Sequence, residues 1–106
     1  SFPSISGTTK LMTDHIYYLE SDLRTIRVVA KEGTFTFTGT ISSLEEQLRP
    51  DGFIRIHKSF LINLDYVQEM RVSYNSGYCV GLRHYEKECL PIGRSQIREF
   101  RQIFDR

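Results

Sequence analysis

The chain has 106 residues, of which 40% are hydrophobic and 25% charged, and its net charge is +1 with a pI of about 7.8. This length fits one domain that buries about two thirds of the surface its unfolded chain exposes, and neither the composition nor any apolar run is typical of disorder or of a membrane span. The near-neutral charge falls short of the basic balance typical of nucleic-acid binders, so such a function would depend on how the charges are distributed.

The first nine residues are rich in Ser, Thr and Gly, a composition typical of linkers. We therefore predict a linker or tag remnant at residues 1–9 and one domain at residues 10–106. The chain has neither an initiating Met nor a signal-peptide pattern. We expect a fragment from the end of a longer protein.

Strand patterns dominate the first third of the domain. Residues 15–20 and 24–31 are rich in β-branched and aromatic residues and are separated by a polar turn, and residues 34–38 alternate Thr with Phe. The spacing predicts a three-stranded meander.

A short helix follows the meander. Ser42 or Ser43, with a Glu three residues later, matches a capping box, and Leu44 with Leu48 forms an apolar pair at helical spacing. The pattern predicts about two turns of helix that end before Pro50.

The strand pattern at residues 53–57 breaks abruptly. Ile54 and Ile56 share one face, and continued alternation would place Lys58 on that same face. Because lysine is almost never fully buried without a partner, we expect the strand to end near His57. Lys58 and Ser59 should then lie in an exposed turn.

The last third of the chain predicts a hairpin, a closing strand and a helix. Residues 67–73 and 78–83 flank a polar turn, and residues 88–92 form a further strand. Ser95 is the predicted N-cap of a C-terminal helix. Its apolar stripe comprises Ile97, Phe100, Ile103 and Phe104.

Three motifs, which follow one another along the chain as they do in the family, resemble the LytTR DNA-binding domain of bacterial response regulators. The central motif is Phe-x-Arg-x-His-x-Ser-Phe-x-x-Asn at residues 53–63; residues 16–21 are similar to the family's first strand and loop, and residues 90–94 to the segment before its last helix. The resemblance covers residues 10–104. It implies a mainly β, elongated antiparallel fold with one short internal helix and a C-terminal helix, which grips DNA with loops.

The resemblance also implies base-reading residues. Arg94 aligns with the family's base-reading arginine, and an arginine can bond guanine O6 and N7 together. Lys58 aligns with a second such position, and Arg24 could take over base contact in the first loop. From the residues alone, the favoured interpretation of Arg94 is a solvated arginine at a helix start, and that of Lys58 is a solubilising turn lysine.

Other residues fit contacts that position DNA without reading its sequence. We expect Arg55, His57, Ser59 and Arg98 to meet phosphates, although His57 could instead be a strand histidine bonded to backbone. The first loop, residues 21–25, departs from the family pattern, in which Gly, Asn or His is common near the positions of residues 23–26. In this chain Asp22 would also repel phosphates. Gly93 replaces the serine that usually precedes Arg94.

Enzymatic readings find little support. The chain has no metal-binding His motif, no Gly-rich phosphate loop and no nucleophile elbow, so we predict no catalytic residue, no metal and no cofactor. Cys79 and Cys89 match neither a disulfide framework nor a zinc site, and we expect both to be reduced. The enzyme alternative is a site assembled in space, in which His57 meets a carboxylate or Cys79.

The sequence thus predicts sequence-specific binding of double-stranded DNA by the effector domain of a bacterial transcriptional regulator in the cytoplasm. The resemblance implies that loops read major grooves and that two copies bind direct repeats; we expect the isolated domain to be monomeric, without a small-molecule substrate or membrane contact. The alternative is a small β-rich interaction domain whose exposed arginines and tyrosines bind an acidic partner protein.

Overall fold

The computed structural model describes residues 2–4, 7–73 and 75–105. The strands in this part of the chain are β1 (Phe2–Ser4), β2 (Gly7–Thr9), β3 (Ile16–Asp22), β4 (Thr25–Ala30), β5 (Gly33–Thr38), β6 (Phe53–His57), β7 (Phe60–Asn63), β8 (Val67–Val72), β9 (Tyr78–Leu82) and β10 (Tyr85–Ile92). The α-helices are α1 (Ile41–Leu48) and α2 (Ile97–Phe104).

These strands form three antiparallel sheets. The largest has five strands in the order β5-β4-β3-β7-β6, and the second has three in the order β10-β9-β8. The predicted meander is β3-β4-β5, and the predicted hairpin is β8-β9. Both are confirmed. Strands β1 and β2 pair with each other within the segment expected to be a linker.

One face of the five-stranded sheet packs against α1. Alternation along β4 places Ile26 and Val28 on this face, in the same buried cluster as Leu44 and Leu48 of the helix. The predicted apolar pair of the helix therefore anchors it to the sheet. Burying such side chains is worth about 1.5–3 kcal/mol each, which makes this face a main source of stability.

The opposite face packs against the three-stranded sheet and α2. Ile54, Ile56 and Ile62 of the large sheet are buried here, together with Leu90 and Phe100. The large sheet is thus covered on both faces. The small sheet and α2 are fixed to it through this second core.

The strand at residues 53–57 ends as predicted. Ile54 and Ile56 are buried in the same core, whereas Lys58 is exposed. The pairing of β6 with β7 shifts register between Arg55 and His57, so a bulge marks the point where the alternation breaks. The turn at Lys58 and Ser59 follows directly.

Three predicted boundaries are wrong. The N-cap of α1 is Thr40, whose hydroxyl accepts the N–H of Ser43 at 3.4 Å, and not Ser42 or Ser43. Ser95 does not cap α2 either, because the chain first makes a 3-10 turn at Arg94–Gln96 and the residue before the helix, Gln96, makes no side-chain cap bond. Strand β10 begins at Tyr85, earlier than expected.

The fold is mainly β with two helices, as the sequence predicts, and its principal extents are 40 × 27 × 25 Å. Neither α-helix in the described residues has the length and apolar character needed to cross a bilayer.

Candidate nucleic-acid interface

Three loops lie at one edge of the molecule. Loop 1 (residues 21–25) joins β3 to β4, loop 2 (residues 57–60) joins β6 to β7, and loop 3 (residues 93–96) leads from β10 towards α2. We call the surface formed by these three loops the loop edge.

Backbone hydrogen bonds join the three loops side by side. The N–H of Ser21 in loop 1 donates to the carbonyl of Ser59 in loop 2 at 2.8 Å, and the N–H of Gly93 in loop 3 donates to the carbonyl of Ile56, just before loop 2, at 2.7 Å. Loop 2 therefore lies between the other two. The predicted base readers Arg24, Lys58 and Arg94 come from the three different loops.

The Arg55 side chain stabilises loop 2 through hydrogen bonds. Its Nε donates to the carbonyl of His57 at 3.0 Å, its Nη2 to the carbonyl of Lys58 at 2.7 Å, and its Nη1 to Oε1 of Glu45 at 2.9 Å. Because Glu45 belongs to α1, this contact ties the helix to loop 2. The Arg55 side chain is only 20% exposed, and all three guanidinium nitrogens have protein partners.

Ser59 and His57 complete the turn. The Ser59 N–H donates to Nδ1 of His57 at 3.0 Å, which requires an unprotonated Nδ1 and leaves the proton of a neutral ring on Nε2. Burial, with the nearby positive charges of Lys58 and Arg55, lowers the pKa of His57 below its usual value. The neutral imidazole is thus part of the loop 2 structure.

Loop 3 presents Arg94 at the start of its 3-10 turn. Arg94 is exposed, and the N–H of Gln96 closes the turn on the carbonyl of Gly93 at 3.0 Å. A Cβ at Gly93 would collide with Oε1 of Gln96. A serine at this position would therefore fit only if the flexible end of Gln96 moved.

An arginine surface on α2 continues from loop 3. Arg98 and Arg101 are exposed on the helix, and together with Arg94 and Tyr78 they line a shallow cavity of about 560 Å³. The Arg101 guanidinium lies 5.0 Å from the centre of the Tyr78 ring, within range of a cation–π contact. Nothing in the sequence marks Tyr78, since its contact with Arg101 depends on the approach of α2 to the small sheet. Arg106, part of the same basic group in the sequence, lies outside the described residues.

Loop 1 is a tight turn with Leu23 and Arg24 at its tip. Both side chains are exposed, and the turn is closed by a hydrogen bond from Oγ1 of Thr25 to the carbonyl of Asp22 at 2.9 Å. Leu23 has a φ of +58°, a conformation that favours glycine. The Arg24 carbonyl accepts the N–H of Gly39 at 3.1 Å.

A polar network joins the two sheets behind the loop edge. The buried Tyr18 hydroxyl donates to Oε2 of Glu88 at 3.0 Å and accepts from Nη2 of Arg27 at 3.4 Å, and Arg27 also binds Glu20. Burial raises the pKa of Tyr18, and the hydrogen bond from Arg27 to Glu20 raises the pKa of Arg27. Arg27, three residues from Arg24 in sequence, is half-buried on β4 and paired with Glu20 and Tyr18, so it does not belong to the loop edge.

The two cysteines are joined, which overturns the expectation that both are reduced. Cys79 and Cys89 lie diagonally across β9 and β10 and form a disulfide, with their Cα atoms 5.5 Å apart. Antiparallel pairing of the two predicted strands could bring the cysteines near one another, but their spacing of 10 residues does not give the register, which the bulge in β10 shifts. Neither sulfur is a free nucleophile in this structure.

Groups for metal chemistry do not converge in the described residues. Across residues 2–4, 7–73 and 75–105, no cluster of three or more His, Cys, Asp or Glu side chains is arranged to hold a metal ion. The ionic groups that shift the pKa of His57 are cationic. The alternative of a site built from His57 with a carboxylate or Cys79 gains no support from these contacts.

Comparison with known proteins assigns the fold to a family. The sequence model of the LytTr DNA-binding domain matches residues 6–105. The chain belongs to the LytTR family. This confirms the resemblance drawn from the three sequence motifs.

Relatives of this LytTR domain include transcription regulators. It is 31% identical over 88 residues to the transcriptional regulatory protein YpdB of Escherichia coli K12, and this match covers 83% of the chain. It is 29% identical over 89 residues, or 84% of the chain, to the sensory transduction protein LytT of Enterococcus faecalis. The matched region spans 36% of the length of each of these curated relatives.

A solved structure has the same fold. It is described as the LytTr DNA-binding domain of a methyl-accepting/DNA response regulator from Bacillus cereus and superposes with a TM-score of 0.80 at 25% identity. The match covers 95% of this chain and 91% of that one. The two chains therefore share the same fold over nearly their whole lengths.

Proposed function

We propose that the loop edge binds double-stranded DNA in a sequence-specific manner and that this LytTR domain is the effector domain of a bacterial response regulator. The observation that carries the proposal is the pair of hydrogen bonds that align loops 1, 2 and 3. They gather three exposed cationic side chains, Arg24, Lys58 and Arg94, on one surface of a nearly neutral protein. A local positive surface of this kind attracts DNA despite the low net charge.

We assign base reading to Arg94, Lys58 and Arg24. All three are exposed on turns anchored to the sheets, so their long side chains can extend into a major groove about 12 Å wide. Arg94 is the principal candidate, since its guanidinium can form two hydrogen bonds with one guanine.

We assign phosphate contact to Arg98, Ser59 and His57. Arg98 is exposed on α2 beside loop 3, and the neutral His57 carries a ring N–H at Nε2 that could donate to a phosphate oxygen. Arg55 remains a candidate for phosphate contact, but its three protein partners favour a positioning role in loop 2.

The largest extent of the domain is 40 Å, comparable with the roughly 34–36 Å between successive major grooves on one face of the duplex. We propose that loops read major grooves, that the domain is monomeric off DNA, and that two copies bind direct repeats. In the cytoplasm, residues 10–106 would act as the DNA-binding unit, with residues 1–9 linking it to a signal-receiving region and no residue serving in catalysis.

The proposal is tested by selecting bound sequences from random duplexes with the 106-residue chain. We expect a defined consensus and retardation of that duplex at concentrations that leave a scrambled duplex free. An acidic polypeptide of equal charge serves as the competitor. Release of the duplex by the polypeptide, with no consensus, would instead support the acidic-protein alternative and contradict DNA recognition.

A further inference from the structure

Leu23 combines two unfavourable features at the tip of loop 1. Its side chain is 94% exposed, the largest value among the exposed large hydrophobic residues described. Its φ of +58° lies in the left-handed region, which glycine adopts freely and a side chain with a Cβ resists. Neither burial nor backbone preference explains a leucine here.

The turn that carries Leu23 is held firmly on both sides. On the β3 side, Ser21 bonds to the backbone of loop 2 at 2.8 Å; on the β4 side, the Arg24 carbonyl accepts the Gly39 N–H at 3.1 Å. The Thr25 hydroxyl closes the turn itself. These hydrogen bonds therefore fix the position of Leu23 on the loop edge.

The neighbours of Leu23 restrict what it can meet on DNA. Asp22, on one side, is an exposed carboxylate that disfavours a phosphate at the tip of the turn, while Arg24 on the other side is an exposed cation. A tip of this kind suits base edges better than backbone. In the major groove, the apolar feature that a base edge offers to a leucine is the C5-methyl group of thymine.

We propose that Leu23 is a specificity-determining residue that reads a thymine through contact with its C5-methyl group. This inference rests on the proposed DNA-binding function. It gives loop 1 an apolar means of sequence readout that is separate from the cationic contacts of Arg24, Lys58 and Arg94.

The test replaces each thymine of the selected duplex, one at a time, by deoxyuridine, which removes only the methyl group. Wild-type protein should lose about fourfold in affinity at one thymine, the value expected for one buried methyl-sized group. Leu23→Gly should bind the thymine and deoxyuridine duplexes equally. Because glycine suits the positive φ, this variant should fold at least as well as wild type, as a thermal melt can verify. Met12→Ala, which removes a side chain 63% exposed before β3, should keep the wild-type response.

The outcomes separate the two proposals. Failure of the wild-type chain to prefer any duplex contradicts DNA recognition as a whole. Preference for a selected duplex without loss at any deoxyuridine position overturns the role of Leu23 alone. An unchanged methyl response in Leu23→Gly, or equal loss on all duplexes, also overturns it.

Discussion

At the scale of single residues, the partners of each arginine separate its role from that of its sequence neighbours. Arg24 and Arg27 lie three residues apart, yet Arg24 is exposed on loop 1, whereas Arg27 is half-buried on β4 and binds Glu20. Arg55 likewise forms an ion pair with Glu45 of α1. The sequence could predict clusters of cations but not these pairings, because each depends on a carboxylate brought from another part of the sheet or helix.

Arg94 and Arg98 should differ in what they recognise. Arg94→Ala should cost roughly 1–3 kcal/mol on the selected duplex and flatten the preference at one base pair, as for a lost bidentate contact. Arg98→Ala should weaken all duplexes about equally. Affinities for selected and scrambled duplexes at fixed salt measure both effects. The matched control is Arg83→Ala, which removes an exposed arginine after β9. Equal losses on both duplexes for Arg94→Ala would show that Arg94 contacts phosphate and does not read a base.

His57 should make the stability of the domain depend on pH. Because its folded pKa lies below the ordinary 6.5, the unfolded chain binds more protons between the two values. The contribution to stability is therefore complete above about pH 6.5 and is lost as the pH falls towards the folded pKa. Urea unfolding from pH 7.5 to pH 5 should show this loss in wild type and a smaller one in His57→Gln. His15 and His84 are present in both proteins, so identical pH profiles would contradict the assignment.

At the scale of elements, local patterns predicted strands and helices well but their ends poorly. The meander, the hairpin at β8-β9 and the broken strand at residues 53–57 follow from periodicity and turn residues. The caps did not, since Thr40, Ser42 and Ser43 all carry hydroxyls and only the backbone geometry selects Thr40. The charged start of β10 resembles a loop in sequence but pairs at the sheet edge around a bulge.

Arg55 should act on loop 2 rather than on phosphate. Arg55→Ala should destabilise the domain by about 1–3 kcal/mol, since it leaves polar partners without a donor, and should weaken DNA binding at every salt concentration. The slope of log affinity against log salt should stay unchanged. Arg98→Ala is the contrast, because loss of one phosphate contact lowers that slope by about 0.9. A comparable decrease of this slope for Arg55→Ala would show that Arg55 contacts a phosphate.

The disulfide should support the β9-β10 pair without being required for DNA binding. Its closed loop, with a sequence separation of 10, corresponds to about 2–3 kcal/mol of unfolding free energy. Cys79→Ala/Cys89→Ala should lose that amount and become insensitive to reductant, as denaturant titration would show. In a reducing compartment the wild-type pair would lose the same support. Abolished binding by a folded double variant would show that the bridge is needed for recognition.

At the scale of the whole molecule, two cores orient the loops. The core against α1 and the core against the small sheet fix the five-stranded sheet from both sides, and the Tyr18 network adds a polar tie to β10. The mainly β architecture and the family could be predicted from sequence. The alignment of the three loops could not, since the bonds from Ser21 to Ser59 and from Gly93 to Ile56 join segments far apart in the chain.

The central claim is that one edge of the domain recognises DNA, and a triple substitution tests it most directly. Arg24→Ala/Lys58→Ala/Arg94→Ala should bring the affinity for the selected duplex down to that for the scrambled one, while circular dichroism shows the domain folded. The control is Lys31→Ala/Arg83→Ala/Lys87→Ala, which removes the same charge from exposed positions towards the opposite end of the two sheets. It should keep the wild-type preference. A preference retained by the loop-edge triple variant, or lost equally by the control, would contradict the account.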